Sequence, residues 1–66
     1  MNVAVIGASA DREKFGNKAV RAYQTMGWTV FPINPSEQSI EGIECYKSVL
    51  KIPYKIDRFA LYVPPK

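Results

Sequence analysis

The order of its elements predicts that this 66-residue chain is an α/β protein with a parallel sheet. Three apolar runs rich in β-branched and aromatic residues, at 3–6, 28–33 and 58–63, are typical of strands. A stretch with a period near 3.6 residues separates the first two runs, and a shorter helix precedes the third. If residues 44–46 add a thin edge strand, right-handed crossovers predict the strand order 3-2-1-4.

A polar loop separates the first strand from the first helix. Residues 3–6 form a continuous apolar run, as in strands covered on both faces, and Gly7 ends it. We expect the helix to begin with Asn17 as its N-cap and to end before Gly27 at its C′ position. Its apolar face consists of Ala19, Val20, Tyr23 and Met26.

In the second half of the chain, prolines end the predicted elements. Asn34-Pro35 follows the second strand and Pro64-Pro65 follows the last, and neither pair can continue a sheet ladder. Ser48 is expected to cap a helix of about one turn over 49–52. No linker or repeat divides the chain, so we expect residues 1–66 to form a single domain.

Composition excludes several classes of function. The chain has one cysteine, Cys45, and no histidine, which excludes an internal disulfide, a zinc site and histidine-based catalysis. Its net charge of +3 favours anionic partners mildly, but its lysines and arginines are too scattered for a nucleic-acid binder. No apolar stretch approaches the ~20 residues of a membrane span, so we expect no membrane partner. The lone free thiol predicts a cytoplasmic protein.

The predicted sheet order implies a ligand site after the first strand. It places the strand that ends at Ile6 beside the strand that ends at Val63, at a topological switch point where open α/β sheets bind ligands. The small residues at 7–10 let the backbone approach a ligand, and N–H groups at a helix start attract phosphate. Ser9 adds a hydroxyl and Lys14 a positive charge, with Arg12 or Lys18 as further cations.

Two well-known phosphate motifs are absent. A dinucleotide fingerprint would need glycine where Ser9 and Arg12 stand, and a P-loop would need lysine at Glu13. NAD-binding folds usually place an acidic residue at the end of the second strand, where this chain has Asn34. The pattern therefore suits a ligand whose ribose carries phosphate.

Four segments of the chain form a familiar combination: VAVIGAS at 3–9, KFGN at 14–17, GWTVFPINP at 27–35 and CYKSV at 45–49. In these segments the chain resembles the small bacterial and archaeal CoA-binding domain proteins, and the similarity extends over nearly the whole chain. The strand end Tyr62-Val63-Pro64 is also similar to that of the succinyl-CoA synthetase α subunit. The resemblance implies a Rossmann-like domain that binds coenzyme A.

The resemblance also implies which residues meet the ligand. The Gly7 loop with Lys14 would contact the phosphates, Asn34-Pro35 would lie near the adenosine end, and residues 63–65 would line the cleft. The expected cofactor-binding residues are Gly7, Ala8, Ser9, Arg12, Lys14, Phe15, Gly16, Asn17, Asn34, Pro35, Val63, Pro64 and Pro65. We expect no catalytic residue and no metal, hence a CoA or acyl-CoA binding module rather than an enzyme.

Members of that family are about twice this length, so we expect the chain to be the N-terminal portion of a larger CoA-binding domain. Its last strand would then be an unpaired apolar edge, and we expect a homo-oligomer through that edge. Two alternatives stay open. One is a fragment of an NAD(P)-binding oxidoreductase domain, and the other is a self-associating half-domain that binds no small molecule.

Overall fold

A computed structural model describes residues 1–62 of the chain. Its elements are, in chain order, β1 (Asn2–Ile6), α1 (Phe15–Thr25), β2 (Thr29–Ile33), β3 (Ser39–Ile40), β4 (Ile43–Glu44), a 3₁₀ turn (Val49–Lys51) and β5 (Arg58–Leu61). β1 pairs in parallel with β2 on one side and with β5 on the other, in the order β2-β1-β5. The predicted α/β fold and parallel sheet, with the first strand between the second and the last, are confirmed.

Both faces of the central strand are covered, as its continuous apolar run predicted. The face toward α1 contains the buried core, which consists of Val3, Val5, Ala8, Ala19, Val20, Val30 and Ile40. Alternation along the strands directs Ala4 and Phe31 to the other face. There the Phe31 ring packs against Tyr46 and Tyr54, with ring centroids 5.9 and 5.6 Å apart.

The predicted edge strand at 44–46 is a single bridge between Tyr46 and Ile33. The Tyr46 N–H donates to the Pro32 carbonyl (2.8 Å), and the Asn34 N–H donates to the Tyr46 carbonyl (2.9 Å). Extending this parallel ladder back toward Glu44 would need an N–H at residue 32, and proline has none. The third strand of the predicted order 3-2-1-4 is therefore reduced to one bridge beside β2. β4 pairs with β3 instead.

The helix begins one turn earlier than expected. Lys14 is the N-cap residue, with an extended backbone (φ −83°, ψ 148°), and its N–H donates to the Asp11 carbonyl (3.1 Å). The prediction that Asn17 is the N-cap is wrong, because Asn17 lies inside the first helical turn and its side chain bonds elsewhere. No helix within residues 1–62 is long and apolar enough to cross a membrane.

The C-terminal end of the helix confirms the expected glycine cap. Gly27 has a φ of 84°, its N–H donates to Gln24, and the Trp28 N–H donates to Tyr23, both at 3.0 Å. These two bonds define a Schellman motif, and the Trp28 ring packs edge-on against Tyr23 with centroids 5.2 Å apart. Ser48 also caps the 3₁₀ turn as expected, since its side chain accepts from the Leu50 N–H.

Replacing Gly27 tests this end of the helix. Gly27→Ala should lower the free energy of unfolding by about 1 kcal/mol, because alanine resists the left-handed backbone conformation. Urea unfolding followed by circular dichroism measures the change. Gly27→Asn is the control and should lose less, since asparagine tolerates that conformation. Equal losses in the two variants would contradict this explanation.

Candidate functional site

Three segments of the chain meet at the carboxyl ends of the three parallel strands. Residues 7–14 follow β1, Asn34 follows β2, and Tyr62 follows β5, where its N–H donates to the Ile6 carbonyl (2.8 Å). The chain leaves β1 toward β2 on one side, whereas β5 lies on the other side. The carboxyl end of β1, where the two directions diverge, is therefore the predicted topological switch point.

Two glycines let the loop after β1 lie directly against the start of α1. Gly7 has a φ of 85°, a left-handed conformation that glycine adopts without strain. Gly16 is buried, and a Cβ there would overlap the Gly7 carbonyl oxygen and lie 3.2 Å from Ala8 Cα. The absence of a side chain at residue 16 therefore sets how closely the loop and helix approach.

Two amide side chains bind the next two carbonyls of the loop. Asn34 Nδ2 donates to the Ala8 carbonyl (2.9 Å), and Asn17 Nδ2 donates to the Ser9 carbonyl (2.8 Å). Asn34 is itself oriented by its own loop, since its Oδ1 accepts from the N–H groups of Ser36 and Glu37. Three successive carbonyls, at residues 7, 8 and 9, thus face protein groups.

The opposite sides of these peptides carry N–H groups. In a trans peptide the carbonyl and the following N–H point in opposite directions, so the N–H groups of Ser9 and Ala10 point away from the two asparagines. Within residues 1–62, neither N–H donates to a protein acceptor. The Ser9 hydroxyl oxygen accepts from the Asp11 N–H (3.0 Å), which leaves its O–H able to donate. This set of donors suits an anion.

The start of α1 offers a further favourable position for an anion beside this loop. Within the described residues, no side chain caps the helix N-terminus, and its first turn contains no acidic residue. Lys14 is exposed at the N-cap position. The helix dipole and the ammonium group therefore act in the same direction on an anion near the loop.

The structure separates the predicted site residues into two groups. Gly7, Ala8, Ser9, Gly16, Asn17 and Asn34 contact one another and shape the loop. The other group is exposed at the rim and consists of Arg12, Lys14, Phe15 and Pro35. The predictions for Val63, Pro64 and Pro65 lie outside the described residues.

Two residues of this region, Arg21 and Glu41, were not predicted from the sequence. The Asn17 amide is fully buried, and besides Ser9 it contacts Glu41 (Nδ2 to Oε2, 3.0 Å) and Arg21 (Oδ1 to Nε, 2.8 Å). Glu41 also lies 3.9 Å from Arg12 Nη1. Glu41 has the sequence context of a solvated loop charge, but its side chain is only 19% exposed. No local sequence pattern distinguishes Glu41, because its partner Asn17 lies 24 residues away in the chain.

Cys45 lies behind the loop that follows β2. Its thiol is half-buried and contacts the Asn34 carbonyl, with Sγ 3.7 Å from the oxygen. Burial raises the pKa of the Cys45 thiol above its usual value of 9.0, which lowers the thiolate fraction at neutral pH. These features suit a packing role for this cysteine.

A glycine- and serine-containing loop at the switch point of a parallel sheet is typical of domains that bind phosphate-bearing ligands. The sequence matches the CoA binding domain family over residues 1–66, and the chain belongs to this family. Its sequence is 44% identical over 64 residues to the ADP-forming acetate–CoA ligase I of Archaeoglobus fulgidus. It is 42% identical over 67 residues to the α subunit of the ADP-forming acetate–CoA ligase II of Pyrococcus furiosus.

Solved structures show the same fold. A conserved hypothetical protein from Pyrococcus furiosus superimposes with a TM-score of 0.90 and 38% identity, over 97% of this chain and 55% of its own. The dinucleotide-forming acetyl-coenzyme A synthetase 1 of Candidatus Korarchaeum cryptofilum, in complex with phosphate and ADP, gives 0.87 and 37%, over 96% of this chain and 14% of its own. The two ligases above match over 97% of this chain but only 9% and 14% of their own lengths.

Replacing Gly16 tests the close contact between loop and helix. Gly16→Ala should lower the free energy of unfolding by about 3 kcal/mol, because the new Cβ would overlap the Gly7 carbonyl. Helix propensity alone predicts the opposite, a gain of about 1 kcal/mol. Urea unfolding of Gly16→Ala and of the reverse change at an exposed position, Ala22→Gly, separates the two effects. A Gly16→Ala variant as stable as the parent would refute the contact.

Proposed function

We propose that this chain is a binding module for coenzyme A or an acyl-CoA, with no catalytic group of its own. The observation that carries the proposal is the direction of the loop after β1. Its carbonyls at residues 7, 8 and 9 face the protein, so the N–H groups of Ser9 and Ala10 face away and are available to phosphate oxygens. Membership of the CoA binding domain family supports the same ligand.

The residues around the loop fit the chemistry of this ligand. Coenzyme A carries a diphosphate and a 3′-phosphate, and the loop offers backbone N–H groups, the Ser9 hydroxyl and the Lys14 ammonium. Arg12 adds a second exposed cation beside the loop, and Phe15 presents an exposed aromatic ring. Asn34 and Asn17 contribute by orienting the loop, because their amide groups are engaged with its carbonyls.

The location and the extent of the domain belong to the same proposal. The free thiol of Cys45 is consistent with the reducing environment of the cytoplasm. The chain spans 55% of the hypothetical protein whose structure it matches, and we propose that a CoA site of the full family type needs residues beyond those described.

Lys14 provides the first test of CoA binding. Lys14→Ala should weaken CoA binding about tenfold, because one charge-assisted contact to a phosphate is lost. Isothermal titration calorimetry at low and high salt measures the affinity, and the salt dependence should become shallower in the variant. Lys55→Ala is the matched control. It removes the same charge near the amino end of β1, where the Lys55 carbonyl accepts from the Asn2 side chain. This end of the strand is opposite the proposed site, so Lys55→Ala should leave CoA binding unchanged.

Other ligands decide between the proposal and its alternatives. Desulfo-CoA should bind like CoA, since no residue of the loop is assigned to the thiol, whereas NAD and NADP should not bind. Binding of NAD or NADP in place of CoA would favour an oxidoreductase fragment. No binding of any of the four at millimolar concentration, or equal losses in Lys14→Ala and Lys55→Ala, would overturn the proposal.

We further propose that the chain self-associates through β5. This strand is at the end of the sheet within the described residues, and it exposes 59% of Phe59 and 66% of Leu61. Light scattering at micromolar concentration should give a mass above the 7.4 kDa of one chain, and Leu61→Lys should shift it toward the monomer. Met26→Lys is the control, because Met26, the C-cap residue of α1, is 60% exposed and lies outside β5. A strictly monomeric parent protein would refute this.

A further inference from the structure

We infer that Glu41, in the turn between β3 and β4, is a positioning residue for the anion-binding loop. The inference rests on the proposed CoA site. Glu41 contacts the Asn17 side chain, although the two residues are 24 positions apart in the chain. Within residues 1–62, the Glu41 side chain forms no hydrogen bond to the loop backbone. It acts through the Asn17 amide on one side and through Arg12 on the other.

The chemistry of the Asn17 amide shows why an acceptor is needed at residue 41. Its nitrogen carries two hydrogens, and the structure uses one on the Ser9 carbonyl and one on Glu41 Oε2. Its oxygen accepts from Arg21 Nε, whose guanidinium also donates to the Arg12 carbonyl (3.0 Å). Without Glu41, one hydrogen of a fully buried amide would lose its acceptor, and the amide would no longer be bound from both sides.

The backbone at residue 41 supports a role for this side chain. Glu41 is the one non-glycine residue within 1–62 that has a positive φ, at 52°. Glycine would adopt this conformation with less strain, and the next residue is Gly42, also at positive φ (77°). The Glu41 side chain is 81% buried against Asn17 and Arg12. The turn alone does not require a carboxylate at this position, so these side-chain contacts indicate its role.

Glu41 also influences the charge that the loop presents. Its Oε1 lies 3.9 Å from Arg12 Nη1, so the guanidinium is kept beside the loop while the Arg12 side chain stays 66% exposed. Because the Arg12 side chain is largely exposed, this ion pair contributes little to stability. The ion pair restricts the conformations of the Arg12 side chain beside the site proposed for phosphate.

Two variants of Glu41 separate positioning from folding. Glu41→Gly should weaken CoA binding about tenfold while changing the unfolding midpoint little, because relief of the positive φ offsets the lost hydrogen bond. Glu41→Gln should keep binding within about threefold of the parent, since its amide oxygen still accepts from Asn17. Glu44→Gln, on the same hairpin and exposed, is the charge control and should bind like the parent.

A second measurement is independent of the ligand. In ¹⁵N relaxation experiments on the unliganded protein, Ser9 and Ala10 should be rigid in the parent and in Glu41→Gln. In Glu41→Gly their order parameters should fall below about 0.6, with β2 unchanged. If the parent protein does not bind CoA, the proposed function fails, and relaxation alone still tests the positioning role. Parent-like binding and relaxation in Glu41→Gly, or equal losses in Glu41→Gln, would overturn the inference.

Discussion

The direction of three successive carbonyls after β1 is the constraint on which the rest of this small structure depends. The Gly7 carbonyl lies against Gly16, and the next two accept from the amides of Asn34 and Asn17. These contacts join the ends of β1 and β2 to the first turn of α1. The loop is therefore held against the start of α1, and the N–H groups of Ser9 and Ala10 point to the side opposite the two asparagines.

The strands were the part of the fold that the sequence predicted most directly. The run at 3–6 has no polar residue on either face, so a strand covered on both faces followed from composition alone. The helix start was misplaced because Asn17 has the residue type of an N-cap, and only its burial shows that its amide serves the loop. Pro32 was visible in the sequence, but its effect depends on which strand edge its nitrogen faces.

The positions of several expected site residues could be predicted, but their hydrogen bonds within the protein could not. Residues 7–9, Asn17 and Asn34 lie together, and the two asparagines bind loop carbonyls, while the expected contacts with a ligand stay predictions. Glu41 could not be found from local pattern, because its partner Asn17 is 24 residues away and its positive φ leaves no sequence signature. Long-range polar contacts of this kind require the tertiary structure.

Pro32 has a consequence for assembly as well as for the sheet. At the outer side of β2 it supplies a carbonyl and no N–H, and Tyr46 already occupies that carbonyl. Within residues 1–62, that edge of the three-stranded sheet is a poorer template for another strand than the edge beside β5. The proposed pairing through β5 would use the more open of these two edges. One favoured edge suits a closed pair of chains better than a stack that propagates into a fibre.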